Sequence, residues 1–280
     1  LMMGEPFGAN LFWVLSALLL VLALIADGWS LVPGGPRRNM LAAGAVAGAA
    51  VALIVVLLVI AANRGLGWQS PPAVQPLDAQ QVLLGLALAM LLIRLGLAWR
   101  LQVNLASLVV SLLALAGILV AGFSTKDSEL PLACGQGAIP LQLQWVLFLI
   151  GAAGLAVAGS TALALALRAA LAPRTPKLQW PRWIDLHALL KRASELALVA
   201  LGAGLATGYW WLWGVQGASA HGQPGEDWIM VALLVTAMSY LTRRAGGRWG
   251  RWTAGLVMAA AVIAILGLLA GVGPLHNLRA

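Results

Sequence analysis

The run QLQWVLFLIGAAGLAVAGSTALALALRAAL, residues 142–171, decides the fold class of this chain. It contains a single ionisable side chain, that of Arg168. About 20 consecutive apolar residues are enough to cross a bilayer as an α-helix, so the run predicts a membrane-spanning helix. Because the run is longer than that, we expect the helix to tilt or to protrude from the bilayer.

Similar runs recur along all 280 residues, of which 61% are hydrophobic and only 9% are charged. A soluble domain cannot hide so much apolar side chain from water. We therefore predict an all-α polytopic membrane protein, with eight transmembrane helices in a single membrane domain covering residues 1–280. The predicted spans are 10–32, 40–62, 80–99, 104–123, 142–171, 192–214, 227–243 and 252–272.

The basic residues are distributed unequally between the two sides of these spans. Of the 17 Lys and Arg residues, only Arg64, Lys126 and Arg279 fall on the side that carries both termini. The positive-inside rule makes the other side cytoplasmic and puts both termini on the non-cytoplasmic side. We expect an integral protein of a bacterial cytoplasmic membrane, surrounded by lipid. Nucleic acid is not an expected partner, because the cations lie in short loops between apolar runs.

The sequence also predicts which helices are interior and how the ionisable residues of the spans are arranged. Helices two, four, five and eight are rich in Gly and Ala, which predicts that they form the packed interior of the bundle. Asp27 and Arg94 lie toward the cytoplasmic ends of their spans, where Arg94 is expected to snorkel to the interface. Glu195 is expected to pair locally with Lys191 or Arg192. So few ionisable groups within the spans count against a pump, an ion channel or a proton-coupled carrier.

The single cysteine and the three histidines exclude several metal sites. Cys134 alone can form neither an internal disulfide nor a Cys/His zinc cluster. Only His187 falls on the predicted cytoplasmic side, as a solvated interfacial residue, and no span contains a histidine. Two transmembrane haems held by paired histidines are therefore excluded.

Aromatic residues and a histidine are predicted to share the non-cytoplasmic mouth of the bundle. Helix six ends in GYWWLWG, residues 208–214, and a polar loop leads to helix seven. An aromatic surface beside a neutral imidazole suits a flat, hydrophobic, metal-bearing ligand such as haem. The alternative is an interfacial aromatic belt, which is typical of membrane proteins. The candidate haem-binding residues are Trp211, Trp213, Trp228, His221 and His276, with His276 as the metal ligand.

The order of several short motifs resembles that of the cytochrome c assembly family, in its CcsA/ResC-like branch with a tryptophan-rich WWD domain. The resemblance covers about residues 76–276. The similar motifs are Pro76-Leu77-Asp78, the segment 140–145 (PLQLQW), Ile184-Asp185-Leu186 with Lys191-Arg192, the segment 204–214 (GLATGYWWLWG), Glu226-Asp227-Trp228, the segment 247–251 (GRWGR) and Gly273-Pro274-Leu275-His276.

This resemblance implies haem handling at the outer face during cytochrome c biogenesis, with other membrane subunits and apocytochrome c as partners. His276 stands in the place of the family's second outer histidine. Gln144 lies near the place of the first, Leu149 replaces a deeper histidine, and residues 215–225 replace the middle of the WWD loop. A glutamine amide is a poor iron ligand. The sequence leaves enzymatic activity open.

Two other functions stay open beside haem handling. One is a non-enzymatic structural subunit of a larger respiratory or photosynthetic electron-transfer complex, built on the same fold after loss of the haem histidines. The other is a small-molecule transporter, which the shortage of polar groups in the spans disfavours.

Overall fold

The computed structural model describes residues 7–30, 37–63, 79–98, 104–123, 138–175, 180–216, 224–246 and 252–272. Within these ranges all regular structure is helical. The helices are α1 (Phe7–Ser30), α2 (Arg37–Asn63), α3 (Ala79–Ala98), α4 (Asn104–Phe123), α5 (Ala138–Leu171), α6 (Trp183–Gln216), α7 (Pro224–Ala245) and α8 (Trp252–Val272).

Each predicted span corresponds to one observed helix, and α6 differs most. It begins at Trp183, nine residues before the predicted start at residue 192. Leu186, Leu189 and Leu190 are buried there at helical spacing, so one face of these turns packs on the bundle although charged residues interrupt the apolar run. α5 and α6 each contain 34 residues, and a helix of that length measures about 50 Å at ~1.5 Å per residue.

Five helices, α1, α2, α4, α5 and α8, contain an apolar stretch long enough to cross a membrane, and α3 contains a shorter one, Gln80–Gly96. Their outward faces carry many exposed Leu, Val and Ile side chains, which water would disfavour and lipid accepts. The chain is therefore a polytopic integral membrane protein.

α5 lies at the centre of the bundle and packs against α3, α4, α6 and α8. In its spanning stretch 72% of the residues are buried, against 28–39% in the other four candidate spans. The predicted interior position is thus confirmed for α5 and wrong for α2, α4 and α8. Small residues alone do not place a helix inside, since Gly44 in α2 and Gly255 in α8 have open space beside them.

Small residues do bring α5 and α6 close together, as predicted from the glycines of helix five. A Cβ atom built on Gly154 would lie 3.2 Å from the carbonyl oxygen of Ala193. A Cβ on Gly204 would lie 2.6 Å from Cδ1 of Phe148, and Gly151 faces Leu201 in the same way. Since partner numbers rise along α6 as they fall along α5, the two helices run antiparallel.

Two ends of the bundle can be defined. The basic end is where α1, α3, α5 and α7 end and the even-numbered helices begin; the other is the opposite end. Thr242 Oγ1 of α7 lies 3.2 Å from Thr253 Oγ1 of α8 at the basic end. At the opposite end Trp13 Nε1 of α1 donates to the carbonyl oxygen of Ile118 in α4, at 3.1 Å. These contacts fit helices that alternate in direction.

Candidate functional site

Tryptophans of α6 and α7 from the predicted aromatic surface lie at the opposite end. α6 continues as a helix to Gln216, so Trp211 and Trp213 belong to its last turns rather than to a loop. Trp210, beside them, is 75% exposed, and Trp228 in the first turns of α7 is 42% exposed. These two described rings share an end of the bundle, and neither stacks on the other.

The predicted iron ligand, His276, and the candidate for the other axial position, His221, lie outside the described residues. The haem ligation assigned to them is therefore still a prediction. Of the three histidines, the structure describes His187, which lies at the basic end. Among the described residues no three His, Cys, Asp or Glu side chains come together in a group that could hold a metal ion.

Gln144, near the place where the family resemblance expects a histidine, is a buried residue in the α5–α6 seam. Its side chain is 2% exposed. A Cβ atom on Gly208 would lie 2.5 Å from Cδ of Gln144, so the amide occupies the space that the absent side chain of Gly208 leaves. The next residue, Trp145, packs edge-on against Phe148 with ring centroids 6.3 Å apart.

This geometry shows what Gln144 does at the mouth of the bundle. Its amide fills helix–helix packing space beside Gly208, and its burial means that it does not project from the opposite end toward a ligand. The described residues therefore do not fit a first axial haem ligand at Gln144. The contact joins residues 64 positions apart, and no local pattern in the sequence signals it.

Exposed aromatic residues also occur at the basic end. Trp252 opens α8 and is 68% exposed, and Trp29 near the end of α1 is exposed as well. Tryptophan at both ends of apolar helices is typical of the interfacial belts of membrane proteins. Exposure of Trp210 and Trp228 alone is therefore equally compatible with a belt and with a ligand surface.

The ionisable residues within the helices behave differently from the prediction. Arg94 does not snorkel; it is buried, donates a hydrogen bond of 2.7 Å to Oδ2 of Asp27, and donates a second to Oγ of Ser111. The group ties α3 to α1 and α4 toward the basic end. The snorkelling prediction was wrong because Arg94 pairs with a buried carboxylate. That carboxylate lies 67 residues away in the sequence, so no local pattern signals the pair.

The predicted local pairing of Glu195 was also wrong. Its carboxylate accepts a hydrogen bond of 3.2 Å from Nη2 of Arg243, which connects α6 to the end of α7. Both side chains are partly exposed. His187 is exposed as predicted, with Nδ1 at 3.0 Å from the carbonyl oxygen of Trp183.

An integral membrane protein with eight helices among its described residues and a central fifth helix has a counterpart among known folds. The solved structure of a cytochrome c heme lyase, CcmF, matches it with a TM-score of 0.66 over 98% of this chain, at 20% sequence identity. The match covers 48% of the heme lyase, so the chain spans about half the length of that protein. No protein-family model matches the sequence, and no curated protein does so either.

The structural match agrees with the resemblance to cytochrome c assembly proteins that the sequence motifs indicated. At 20% identity it establishes a shared fold. Proteins that share a fold can have different activities, so the activity of this chain has to be argued from its site.

Proposed function

We propose that this chain is a diverged membrane protein of cytochrome c maturation that handles haem at its opposite end, the outer face of the membrane. The observation that carries the proposal is the fold match to a heme lyase over nearly the whole chain. The family-like motifs of residues 76–276 support it independently, because they fall in the family's order along the same helices.

In this proposal His276 is the iron ligand and follows α8 at the outer face. Trp211, Trp213 and Trp228 supply the apolar surface for the porphyrin, and His221 is the candidate for the second axial position. A neutral imidazole nitrogen is a good ligand for haem iron, and a porphyrin edge packs well against indole rings. The buried position of Gln144 leaves the second ligand to the loop or to another protein.

The proposal includes a membrane arrangement and a set of partners. Residues 1–280 form a single domain that crosses a bacterial cytoplasmic membrane eight times, with the basic end inside and both termini outside. Its partners are other membrane subunits and apocytochrome c, as the resemblance to cytochrome c assembly proteins implies.

A second function is favoured by one observation, the closed seam between Gln144 and Gly208. Where the resemblance expects a ligand, the chain has helix packing. That substitution suits a structural subunit of a respiratory or photosynthetic electron-transfer complex, which keeps the fold and no longer binds haem.

A reduced-minus-oxidised absorption spectrum of the full chain, purified in mild detergent, separates the two functions. Haem handling predicts a Soret band and a haem content that rises when haem is supplied during expression. The structural role predicts a colourless protein that co-purifies with other membrane subunits in constant proportion. A colourless protein after haem supplementation would overturn the first proposal.

A further inference from the structure

The end of α5 and the start of α6 are joined by several side-chain contacts at the basic end. We define the α5–α6 corner as Arg168 together with residues 180–192. Arg168, in the last turn of α5, donates a hydrogen bond to the carbonyl oxygen of Pro181. Its guanidinium carbon also lies 5.5 Å from the centroid of the Trp183 ring, within cation–π range. Trp180 Nε1 donates to the carbonyl oxygen of Thr175 at 3.3 Å. These contacts fix the start of α6 against the end of α5.

The first turns of α6 present two different faces. One face packs on the bundle through Leu186, Leu189 and Leu190, all of which are buried. The outward face repeats every four residues through Trp183, His187 and Lys191, all exposed. The rings of Trp183 and His187 lie 5.0 Å apart, so this face is continuous.

The outward face combines apolar exposure with positive charge. Ile184, next to Trp183, is 79% exposed. Arg182, Lys191 and Arg192 are exposed along the first turns of α6, which also contain one carboxylate, Asp185. Large apolar side chains beside cations are typical of helices that lie in the headgroup layer of a membrane.

In the proposed eight-span topology α6 crosses the bilayer, and its length then puts this face outside the hydrocarbon at the basic end. A helix of 34 residues spans about 50 Å, whereas the hydrocarbon core of a bilayer is only ~30 Å thick and the headgroup layers bring it to ~45 Å. The outward apolar stretch of α6 runs through Leu196, Val199 and Trp210. The turns before it therefore leave the hydrocarbon at the basic end.

We propose that the α5–α6 corner binds the phosphate headgroup of an anionic phospholipid. Charge complementarity selects this occupant: the cytoplasmic leaflet is anionic, and the basic end is the one that the positive-inside rule puts there. Lys191 contacts the phosphate from the face that it shares with His187 and Trp183, and the exposed guanidinium of Arg182, at the start of α6, adds positive charge at this end. The bound lipid anchors the start of α6. This function is separate from haem handling.

The test is a lipid titration of the detergent-solubilised full chain, with bound lipids counted by native mass spectrometry. Dioleoyl phosphatidylglycerol is compared with dioleoyl phosphatidylcholine. Wild-type protein retains phosphatidylglycerol preferentially, and the preference falls as salt rises. The double variant Arg182→Gln/Lys191→Gln weakens phosphatidylglycerol binding by about fivefold for each cation removed and leaves phosphatidylcholine binding unchanged.

The matched control is Arg37→Gln/Arg38→Gln, which removes the same charge from the start of α2 on the same side. It retains the wild-type preference. Equal losses in both double variants would overturn the site, because the effect would then follow net charge. Displacement of phosphatidylglycerol by inorganic phosphate, but not by chloride at equal ionic strength, would assign the corner to a soluble phosphate. Absence of any lipid preference in the wild type would overturn the proposal and favour an acidic protein as the partner of these cations.

Discussion

Arg94 of α3 and Asp27 of α1 form a buried ion pair, with Nη2 of the guanidinium 2.7 Å from Oδ2 of the carboxylate. Arg94 also donates to Ser111 of α4, so three helices meet at one polar point. Charged groups away from water are stable only when paired and hydrogen-bonded. The pair therefore fixes the relative register of α1, α3 and α4 toward the basic end.

We expect the single variants Asp27→Leu and Arg94→Met each to lower the free energy of unfolding by about 3–5 kcal/mol, because each leaves an uncompensated buried charge. The double variant should lose far less, since it removes both charges together. Unfolding in detergent, followed by circular dichroism, gives the three values for a double-mutant cycle. Additive losses would show that the two side chains do not act as a pair.

The α5–α6 seam gives a second prediction, at Gly204. Alanine there brings a methyl group against the ring of Phe148, 2.6 Å from Cδ1, and an overpacked core position costs about 1–3 kcal/mol. Gly202, two residues earlier in the same helix, has open space. Gly202→Ala should be neutral, or gain up to ~1 kcal/mol from helix propensity.

Thermal unfolding of the two variants in the same detergent makes this comparison. Both substitutions add one methyl group to α6, so a difference between them reports the contact with Phe148. Equal melting temperatures would contradict the close approach of α5 and α6.

The fold was predictable from sequence to the extent that lipid exposure determines it. Long apolar runs such as residues 104–123 and 252–272 match α4 and α8 because nothing interrupts them. The start of α6 was missed because Asp185 and Lys191 lie in helical turns whose other face is buried. A hydropathy average combines the buried and the exposed face of these turns. Packing on the bundle depends on the buried face alone.

Of the candidate aromatic surface, the sequence predicts which end of the bundle carries it but not its contacts. Trp210 and Trp228 share the opposite end, since their places in the spans decide it. The burial of Gln144 against Gly208 depends on the pairing of two helices that the sequence does not encode locally. The pairing of Arg94 with Asp27 was missed for the same reason.

A third prediction concerns membrane sidedness. Alkaline phosphatase fused after Arg182 should be inactive, and the same enzyme fused after His221 should be active, because only exported phosphatase folds with its disulfides. The unequal distribution of basic residues predicts this result. Two fusions with the same activity would contradict the alternation of α5, α6 and α7 across the membrane.

The last prediction tests His276. If the chain handles haem at its outer face, His276→Ala should abolish or shift the Soret band of the purified protein, because an imidazole nitrogen is removed from the iron. His187→Ala is the matched control: it also removes one imidazole, but from an exposed position at the basic end, where Nδ1 contacts the carbonyl oxygen of Trp183. Its spectrum should equal that of the wild type. Circular dichroism must show that both variants keep their helices, so that a spectral change reports ligation. A band unchanged in His276→Ala would remove this residue as the ligand. With no band in the wild type, the buried Gln144 would become the decisive feature, and the fold would serve as a structural subunit.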